Sequence, residues 1–511
     1  MLEQQQLLDQ MLTRAEVCVK DLHQRVEKAT ASDETGIAAL EMTVLEAMLR
    51  LGAGLLGLIL SAYAAGLAEA SATRRPCRCG GMMRWVSVRT KTVLSLLGKV
   101  ACSRVYFHCK QCGHGEALGD RRWGLEHTRT TAGVVQLLGY LSAGRSFVDT
   151  AHEVCRTLCW PKEWLSGKQV QRLAEPLGRR LGALDTESVA QWWRVLTTGR
   201  SALVPEPVAL GDKPELGQGA PRRRRPKDRP CPERGQGIRR LYVQMDGIMV
   251  RFRGKAGRGS DPWHEVKVGA VFVAEMGQRV SRIAQAIAEV ARAQGQEVRR
   301  WVDRPQGLIS YAAGWLPAAE FGMRLYAEAV RRGLERAEEV VILGDGAHWI
   351  WQLAAEHFPG AVQILDFWHA SERVWKVAKA VWGEGSLRAK EWAEQQIAEY
   401  LIKGDAEGLI RAIRALPRVA PPPGERRSIP EQAIEYFRNN AERMRYPEYR
   451  ARGMEIGSGA VESAGKRVVG QRCKGPGMRW SEEGLPAVLH LRTLVPNERY
   501  DSALAALPKA A

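Results

Sequence analysis

Three acidic residues lie in phrases that could support metal-ion chemistry. Asp246 follows the run Tyr-Val-Gln-Met, Asp345 follows Val-Val-Ile-Leu-Gly, and Glu462 ends the phrase Gly-Ser-Gly-Ala-Val-Glu. The two aspartates end strand-like runs and the glutamate opens a predicted helix, so rigid elements would hold all three. Such carboxylates can bind two divalent ions, the arrangement that catalyses in-line phosphoryl transfer on nucleic acids. The alternative is that each Asp-Gly pair is an ordinary turn.

In the metal interpretation, Asp246 bridges two Mg²⁺ ions, Asp345 holds one of them and Glu462 holds the other. No side-chain nucleophile is needed, because phosphoryl transfer depends on positioning and charge neutralisation. Asp366 and His369 are three residues apart in Asp-Phe-Trp-His and could converge where a helix begins. His369 would then contact the scissile phosphate or transfer a proton. A capping aspartate beside a packed histidine is the alternative.

The charge of the chain favours a polyanionic partner. The 511 residues include 75 Lys and Arg against 57 Asp and Glu, a formal net charge of +18, and a basic surface is typical of nucleic-acid binding. A basic loop also follows the glutamate helix, where Trp480 could stack on a base. The alternative is a basic loop with no role in DNA binding. The candidate DNA-binding residues of this region are Lys466, Arg472, Lys474, Arg479 and Trp480.

Two cysteine pairs suggest a structural metal site. Cys77 and Cys79 form the first pair, and Cys109 and Cys112 form the second. Four thiolates on two turns suit a tetrahedral Zn²⁺ site of the ribbon type, although the first pair has one intervening residue instead of two. Cys102, His108 and His114 are possible substitutes, and reduced thiols without a metal are the alternative.

Two further segments could contact DNA. Residues 126–185 suggest a helix-turn-helix whose last helix offers Lys168, Gln169 and Arg172 to base edges, although the same spacing occurs in helical hairpins that bind no DNA. The linker within 186–237 could grip phosphates or be a solvated tether. Its four consecutive arginines are Arg222, Arg223, Arg224 and Arg225.

The elements that must position these residues indicate a multidomain α/β protein. From about residue 238 the order is a strand hairpin, a helix over 317–339, a strand at 340–344, a helix, a strand at 361–365 and a long helical stretch. This order fits a ribonuclease-H-like catalytic core with an all-helical insertion, in which helices cover both faces of a sheet. The predicted regions are helical 1–70, zinc-ribbon-like 71–125, helical and helix-turn-helix-like 126–185, linker 186–237, first core part 238–370, helical insertion 371–450, and core completion 451–511.

The N-terminal region bears on cellular location. Residues 1–6 lack a basic segment followed by an apolar one, so no secretory signal is expected. Residues 51–68 are uncharged and reach transmembrane length, but they continue a charged helical pattern, and a buried helix is the preferred interpretation. With no membrane span and ten cysteines expected as thiols or metal ligands, we expect a cytoplasmic protein associated with the nucleoid.

Taken together, these phrases resemble the Kra family of bacterial insertion-sequence transposases, a DDE group with a layout similar to that of Mutator-type enzymes. The matching phrases surround Asp246, Asp345 and His369, together with the stretch from residue 457 to Trp480. The resemblance implies a ribonuclease-H-like fold and a catalytic triad of Asp246, Asp345 and Glu462. It also implies Mg²⁺-dependent cleavage and joining of double-stranded DNA at terminal inverted repeats and in target DNA, and it supports Asp366 and His369 as a shared signature.

Joining two DNA ends demands at least a homodimer on DNA. A sequence-specific DNA-binding regulator with an inactive core is the competing interpretation, and intact acidic residues favour the enzyme.

Overall fold

The computed structural model describes residues 2–30, 36–69, 74–197, 238–254, 262–277 and 281–508. The chain divides into two compact units, Met1–Leu181 with Ala503–Ala511, and Gly182–Ser502. Each unit contains one sheet, so the protein is mixed α/β with two sheets, as the sequence predicts. The arginines Arg222, Arg223, Arg224 and Arg225 of the predicted linker lie outside the described residues.

The first unit combines long helices with a four-stranded antiparallel sheet in the order β1-β2-β3-β4. A hairpin joins the two long strands, where Ser95 pairs with Gly98. Gly98 has a φ of +109°, a value that favours glycine. The elements are α1 (Leu2–Thr30), α2 (Ile37–Glu69), β1 (Arg74–Pro76), β2 (Met82–Ser95), β3 (Gly98–Cys109), β4 (Gly115–Ala117), α3 (Ala132–Gly144), α4 (Phe147–Thr157) and the first half of α5 (Gly167–Thr197), whose residues from Gly182 onward belong to the second unit.

Helix α2 corrects the prediction of a buried helix over residues 51–68. Its segment Ile37–Leu67 is long and apolar enough to cross a membrane, and only 11% of the 18-residue apolar window within it is buried. Small residues let one face lie close to the sheet, because a Cβ at Gly57 would stand 2.5 Å from the carbonyl oxygen of Ala101. Ser61 Oγ also accepts a hydrogen bond of 2.9 Å from the backbone of Ser103. The helix is therefore half-buried against β3.

The helix α5 is longer than the sequence suggested. It continues to Thr197 with Pro176 inside it, so the first residues of the linker predicted over 186–237 are helical. At the other end, Ser166 and Gln169 exchange hydrogen bonds that satisfy the first backbone N–H groups. Thr131 and Ser146 precede α3 and α4 in extended conformation, the geometry of helix starts.

The second unit is built on a five-stranded sheet in the order β7-β6-β5-β8-β9. The pairs β5–β6 and β6–β7 are antiparallel, and the pairs β5–β8 and β8–β9 are parallel. Central strands read as continuous apolar runs because both faces are covered. The elements are β5 (Ile238–Arg251), β6 (Trp263–Gly277), α6 (Arg282–Ala293), β7 (Val302–Gly314), α7 (Ala318–Arg331), β8 (Ala337–Gly344), α8 (His348–His357) and β9 (Val362–Leu365).

Helices pack on both faces of this sheet. Met245 on β5 pairs with Gly269 on β6, so the two residues share a face. A Cβ at Gly269 would touch Leu325 and Phe321, which places α7 on that face. The neighbouring residue Gln244 points to the other face, where it bonds the segment near residue 461. This arrangement is the layered α/β architecture that the sequence predicts.

The predicted helix over 317–339 is wrong at its C-terminal end. Helix α7 stops at Arg331, and Gly333 follows with a φ of +95°, the left-handed conformation that ends helices. Strand β8 then begins at Ala337. Glu339 continues the amphipathic pattern but lies on the strand, where it pairs with Arg240 and Arg452.

The remainder of the second unit is helical, as predicted for residues 371–450. Its core residues Val374, Phe437 and Tyr446 belong to the same buried cluster as the sheet. A π-helical turn, Gly465–Gly470, interrupts the predicted helix over residues 458–473. The elements are α9 (Phe367–Trp382), α10 (Leu387–Gln396), α11 (Ala406–Arg414), α12 (Ile429–Asn440), α13 (Tyr446–Ala451), α14 (Gly459–Ala464), α15 (Gln471–Cys473), α16 (Gly484–Leu494) and α17 (Tyr500–Ala505).

Candidate active site

The two aspartates meet where β8 ends beside β5. Asp345 follows the last residue of β8, but the prediction that Asp246 ends its strand-like run is wrong, because β5 continues to Arg251 through its pairing with β6. The register pairs Met245 of β5 with Gly344 of β8, and Asp246 and Asp345 follow these partners directly. Neighbouring strands lie about 4.8 Å apart, so the backbones of the two aspartates are adjacent. The backbone of Gly247 donates a 2.7 Å hydrogen bond to Asp246 Oδ1. The Ala347 N–H donates one of 2.9 Å to Asp345 Oδ1. One oxygen of each carboxylate is therefore held by its own turn.

The glutamate helix packs over this part of the sheet on the face that carries Asp246. Gln244, Asp246 and Ile248 share one face of β5, because side chains alternate along a strand. Gln244 Oε1 accepts a 3.0 Å hydrogen bond from the backbone of Val461. A Cβ at Gly465 would stand 2.5 Å from Ile248 Cδ1. Asp246 therefore lies on β5 between Gln244 and Ile248. The helix residues that these two contact, Val461 and Gly465, lie on either side of Glu462 in the sequence.

The electrostatics of Asp246 reflect its acidic surroundings. Burial raises the pKa of Asp246 to about 6, and the charges of Asp345 and Glu462 act in the same direction. The N–H of Gly247 and the charge of His369 oppose this shift of the pKa. The three carboxylates and the histidine therefore share one electrostatic site, in which a bound cation would relieve the repulsion between acids.

Asp366 ties three segments together beneath this site. Its side chain is fully buried and caps α9 by accepting a 2.8 Å hydrogen bond from the His369 backbone. The same carboxylate accepts a hydrogen bond from the backbone of Ser458, just before α14. The N–H of Asp366 donates a 2.8 Å bond to the carbonyl of Gly344 at the end of β8. Burial raises the pKa of Asp366, but the hydrogen bonds from His369 and Ser458 lower it overall.

His369 is held beside the acids in a charged form. Its Nδ1 lies 3.4 Å from Asp366 Oδ1, the distance of an ion pair. The interaction with Asp366 raises the pKa of His369 to about 9 despite the opposing effect of burial, and Asp246 and Asp345 add to the rise. His369 is therefore protonated at neutral pH. Asp366 is a capping residue, as the alternative interpretation had it, and it also pairs with the imidazole.

The three carboxylates do not form a compact ligand set as they stand. Among the residues that the structure describes, the one group of three or more potential ligands found close enough to hold a metal ion is the cysteine cluster Cys77, Cys79, Cys109 and Cys112. Glu462 is exposed and lies in the first turn of α14.

Two supporting residues were missed from the sequence. Gln244 lies two positions before Asp246, so a polar residue in an apolar run on the same strand face was an available signal. Tyr436 donates a 2.8 Å hydrogen bond to the backbone carbonyl of Asp345. Its position on α12 gives no sequence signal, because only the tertiary fold brings it to the strand end.

The basic residues near the glutamate helix fall into two groups. Lys466, Lys474 and Arg479 are exposed. Arg472 and Trp480 are buried, and the Arg472 guanidinium lies 5.1 Å from the centre of the Trp480 ring.

Trp480 does not offer a stacking surface in this structure. Its Nε1 donates a 3.0 Å hydrogen bond to the carbonyl of Cys473. Its backbone pairs with β5 through a 3.1 Å bond to Arg251 and a 2.9 Å bond from Arg253. The predicted base contact at Trp480 and the predicted phosphate contact at Arg472 would each require this region to open.

In the first unit, Lys168, Gln169 and Arg172 are exposed at the start of α5. The side chain of Gln169 accepts hydrogen bonds of 2.7 and 2.9 Å from the backbone and hydroxyl of Ser166. Gln169 therefore caps the helix, and Lys168 and Arg172 are the side chains of this set that extend from its first turns.

The four cysteines of the first unit could hold a metal ion. Cys77 and Cys112 have their sulfurs 3.5 Å apart, and those of Cys79 and Cys109 are 3.7 Å apart. Tetrahedral Zn²⁺ with bonds near 2.3 Å requires sulfur separations of about 3.8 Å. All four sulfurs lie within 4.8 Å of one another. The Cys-x-Cys spacing is therefore no obstacle to a tetrahedral site.

Backbone N–H groups favour a thiolate at one cysteine of the cluster. The N–H of Cys112 is the main cause that lowers the pKa of Cys109 to about 7. The pKa of Cys112 is instead raised to about 12, because the effects of Cys79 and Cys77 outweigh the lowering effect of the His114 N–H. Cys102, considered as a substitute ligand, lies elsewhere on β3 and directs its sulfur to the Lys91 carbonyl at 3.6 Å. His108 and His114 are not members of the cluster.

Residues 310–499 match the model of a family described as Uncharacterised protein family (UPF0236). The matched segment contains Asp345, Asp366, His369 and Glu462, and it excludes Asp246 and the cysteine cluster. None of the curated proteins matches the chain.

Proposed function

We propose that this chain is a DDE transposase of the Kra type, which cleaves and joins DNA strands at the terminal inverted repeats of an insertion sequence. The observation that carries the proposal is the common electrostatic site of Asp246, Asp345 and Glu462, with a protonated His369 beside it. Acids on rigid elements next to a cation suit phosphoryl transfer, which depends on positioning and charge neutralisation.

The order of strands supports a ribonuclease-H-like core. Three antiparallel strands, β7, β6 and β5, are followed across the sheet by the parallel strands β8 and β9. The hairpin, the helices and the strand ending in Asp345 follow the chain order that this core requires. Helices α9 to α13 would then form the insertion before the helix of Glu462.

The carboxylates would hold two Mg²⁺ ions, with Asp246 between Asp345 and Glu462. When bound, such ions lower the pKa of an attacking water or 3′-hydroxyl and neutralise the leaving oxygen. The turn hydrogen bonds at Asp246 and Asp345 fix one oxygen of each carboxylate. Glu462, which is exposed, is the ligand that completes the site by turning inward.

His369 and Asp366 have separate roles in this proposal. His369 carries a positive charge at neutral pH and would bind the scissile phosphate or donate a proton from its imidazole. Asp366 is a positioning residue, because it holds the imidazole and links β8, α9 and the segment before α14. In this proposal the protonated His369 binds the DNA phosphate, and its ion pair with Asp366 keeps it protonated.

The remaining parts would serve DNA binding and assembly. The four cysteines would hold a structural Zn²⁺ that orders the hairpin of the first unit. Exposed cations would contact double-stranded DNA at phosphates or bases. The protein would act as a homodimer or larger assembly on DNA, since joining requires two ends. The cations are Lys168, Arg172, Lys466, Lys474 and Arg479.

The replacement Asp345→Asn tests the proposal, because it keeps the size of the side chain and removes its charge. Full-length protein is assayed for Mg²⁺-dependent nicking of supercoiled DNA and, separately, for binding to a DNA duplex. We expect Asp345→Asn to lower the nicking rate at least about a hundredfold and to leave the dissociation constant within about twofold. Replacing Glu338 on the same strand by Gln is the matched control.

Four results would contradict this assignment. Equal losses of nicking and binding would make Asp345 a structural residue. Mg²⁺-independent nicking, or nicking unaffected by Asp345→Asn, would remove the metal site from the reaction. DNA binding without any nicking by the unaltered protein would favour the alternative function, a DNA-binding regulator with an inactive core.

A further inference from the structure

A small cleft opens at the N-terminus of α9. Its volume is about 100 Å³, below the roughly 300–1,000 Å³ of sites for drug-sized ligands, so it suits one small planar group. Its lining is mostly apolar, as in other ligand sites, and includes Ile283, Val302, Trp368, Met454, Glu455 and Ile456.

Trp368 forms one wall of the cleft and is 47% exposed. Its ring packs closely on Gly457, since a Cβ at Gly457 would lie 3.0 Å from its Cδ1 and Nε1. The ring of Phe367 also packs against it, with centroids 5.6 Å apart. A half-exposed indole held by such contacts is a surface on which a planar base can stack. The surface is linked to the candidate active site, because the carbonyl of Gly457 accepts a 3.5 Å hydrogen bond from Gln244, two residues before Asp246.

Glu455 and Ser281 are the polar residues of the cleft lining, and Glu455 is the ionisable one. Its backbone N–H donates a 3.0 Å hydrogen bond to the Tyr242 hydroxyl, which anchors the segment to β5. Burial raises the pKa of the Glu455 carboxyl to about 7, against the lowering effect of the N–H groups of Gly457 and Ile456. Near neutral pH this carboxyl can therefore both donate and accept a hydrogen bond. The edge of a nucleobase also carries donors and acceptors, so the two groups can pair.

We propose that this cleft receives one unpaired nucleobase of the DNA, stacked on Trp368 with its edge hydrogen-bonded to Glu455. The inference rests on the proposed function, because it assumes that DNA lies at Asp246 and Asp345. It adds a base-binding site to a centre that otherwise contacts only phosphate and metal ions. The site is tolerant of sequence, since every base has a face that can stack.

The experiment measures the preference for unpaired bases without catalysis. Full-length protein is titrated, in buffer without Mg²⁺, with a blunt DNA duplex and with the same duplex carrying a two-nucleotide 3′ overhang. A 2-aminopurine in the overhang reports stacking by its fluorescence. The variants are Trp368→Ala, Trp368→Phe and Glu455→Ala, and Trp263→Ala is the control because Trp263 is 54% exposed on β6 of the same unit.

We expect the unaltered protein to bind the overhang duplex at least about fivefold more tightly than the blunt one and to change the 2-aminopurine signal. Trp368→Ala should abolish both effects, Glu455→Ala should weaken them, and Trp368→Phe and Trp263→Ala should keep most of the preference. If Trp368→Ala keeps the preference for the overhang duplex, base binding in the cleft is refuted, even when Asp345→Asn abolishes nicking. Loss of the preference in Trp368→Ala, in a protein that never nicks DNA, supports the cleft and contradicts the proposed function.

Discussion

Replacing Asp366 by Asn removes the charge that keeps His369 protonated. Asp366 is fully buried and lies 3.4 Å from the imidazole of His369. Its interaction is the main cause of the rise in the His369 pKa from 6.5 to about 9. At about 1.4 kcal/mol per pKa unit, this rise corresponds to about 3 kcal/mol of preference for the charged imidazole in the folded protein.

The sign of the pH dependence follows from linkage. Folding raises the pKa of His369, so its contribution to the free energy of unfolding is full below pH 6.5 and is lost as the pH rises through about 9. Asp246 and Glu455 have raised pKa values of about 6 and about 7, so their stability changes fall mainly below pH 7. Between pH 7 and 9, the difference in free energy of unfolding between the unaltered protein and Asp366→Asn therefore reports the titration of His369.

Two measurements check this prediction in buffer without Mg²⁺. NMR of labelled histidines gives the pKa of His369, with His369→Gln identifying its signal among the ten histidines. Urea unfolding at several pH values gives the free energy. We expect the unaltered protein to lose about 2 kcal/mol more than Asp366→Asn as the pH rises from 7 to 9, because part of the contribution is already lost between pH 6.5 and 7 and part remains at pH 9. A His369 that titrates below pH 7, or keeps its pKa in Asp366→Asn, would refute the pairing.

Two further predictions concern zinc and phosphate contacts. Cys112→Ser should lower the zinc content measured by mass spectrometry from one ion per chain to a small fraction, because three thiolates hold Zn²⁺ less tightly than four. The control Cys18→Ser, on α1 outside the cluster, should keep the full zinc content. An unchanged zinc content in Cys112→Ser would contradict the site. Lys466→Ala should reduce the slope of log affinity for duplex DNA against log salt by about one, because one phosphate contact is lost. Lys390→Ala, on α10, is its control, and equal slopes in both variants would remove Lys466 from the DNA surface.

The sequence located the aspartates because local signals were sufficient there. Apolar runs ending in Asp246 and Asp345 predict strands, and adjacent parallel strands bring their ends to one edge. The place of Glu462 could not be predicted from local periodicity. It depends on the bonds of Gln244 with Val461 and of Asp366 with Ser458, which join segments remote in sequence.

The errors arose where tertiary contacts override local pattern. The helical pattern continued through Glu339, but pairing with Arg240 and Arg452 fixes that residue on β8. Trp480 looked like an exposed residue of a basic loop, yet its backbone joins the end of β5. Residues 51–68 were expected to be buried because they continue a charged helical pattern, which does not show how much surface the sheet can cover.

The strand order has a consequence for the segment matched to the family model. Within residues 310–499, β7 and β8 do not pair with each other, because β6 and β5 lie between them in the sheet. A fragment cut to those bounds would start inside β7 and would lose the two middle strands together with Asp246. The smallest piece expected to fold as a unit and to retain every acid must therefore begin upstream, before Ile238.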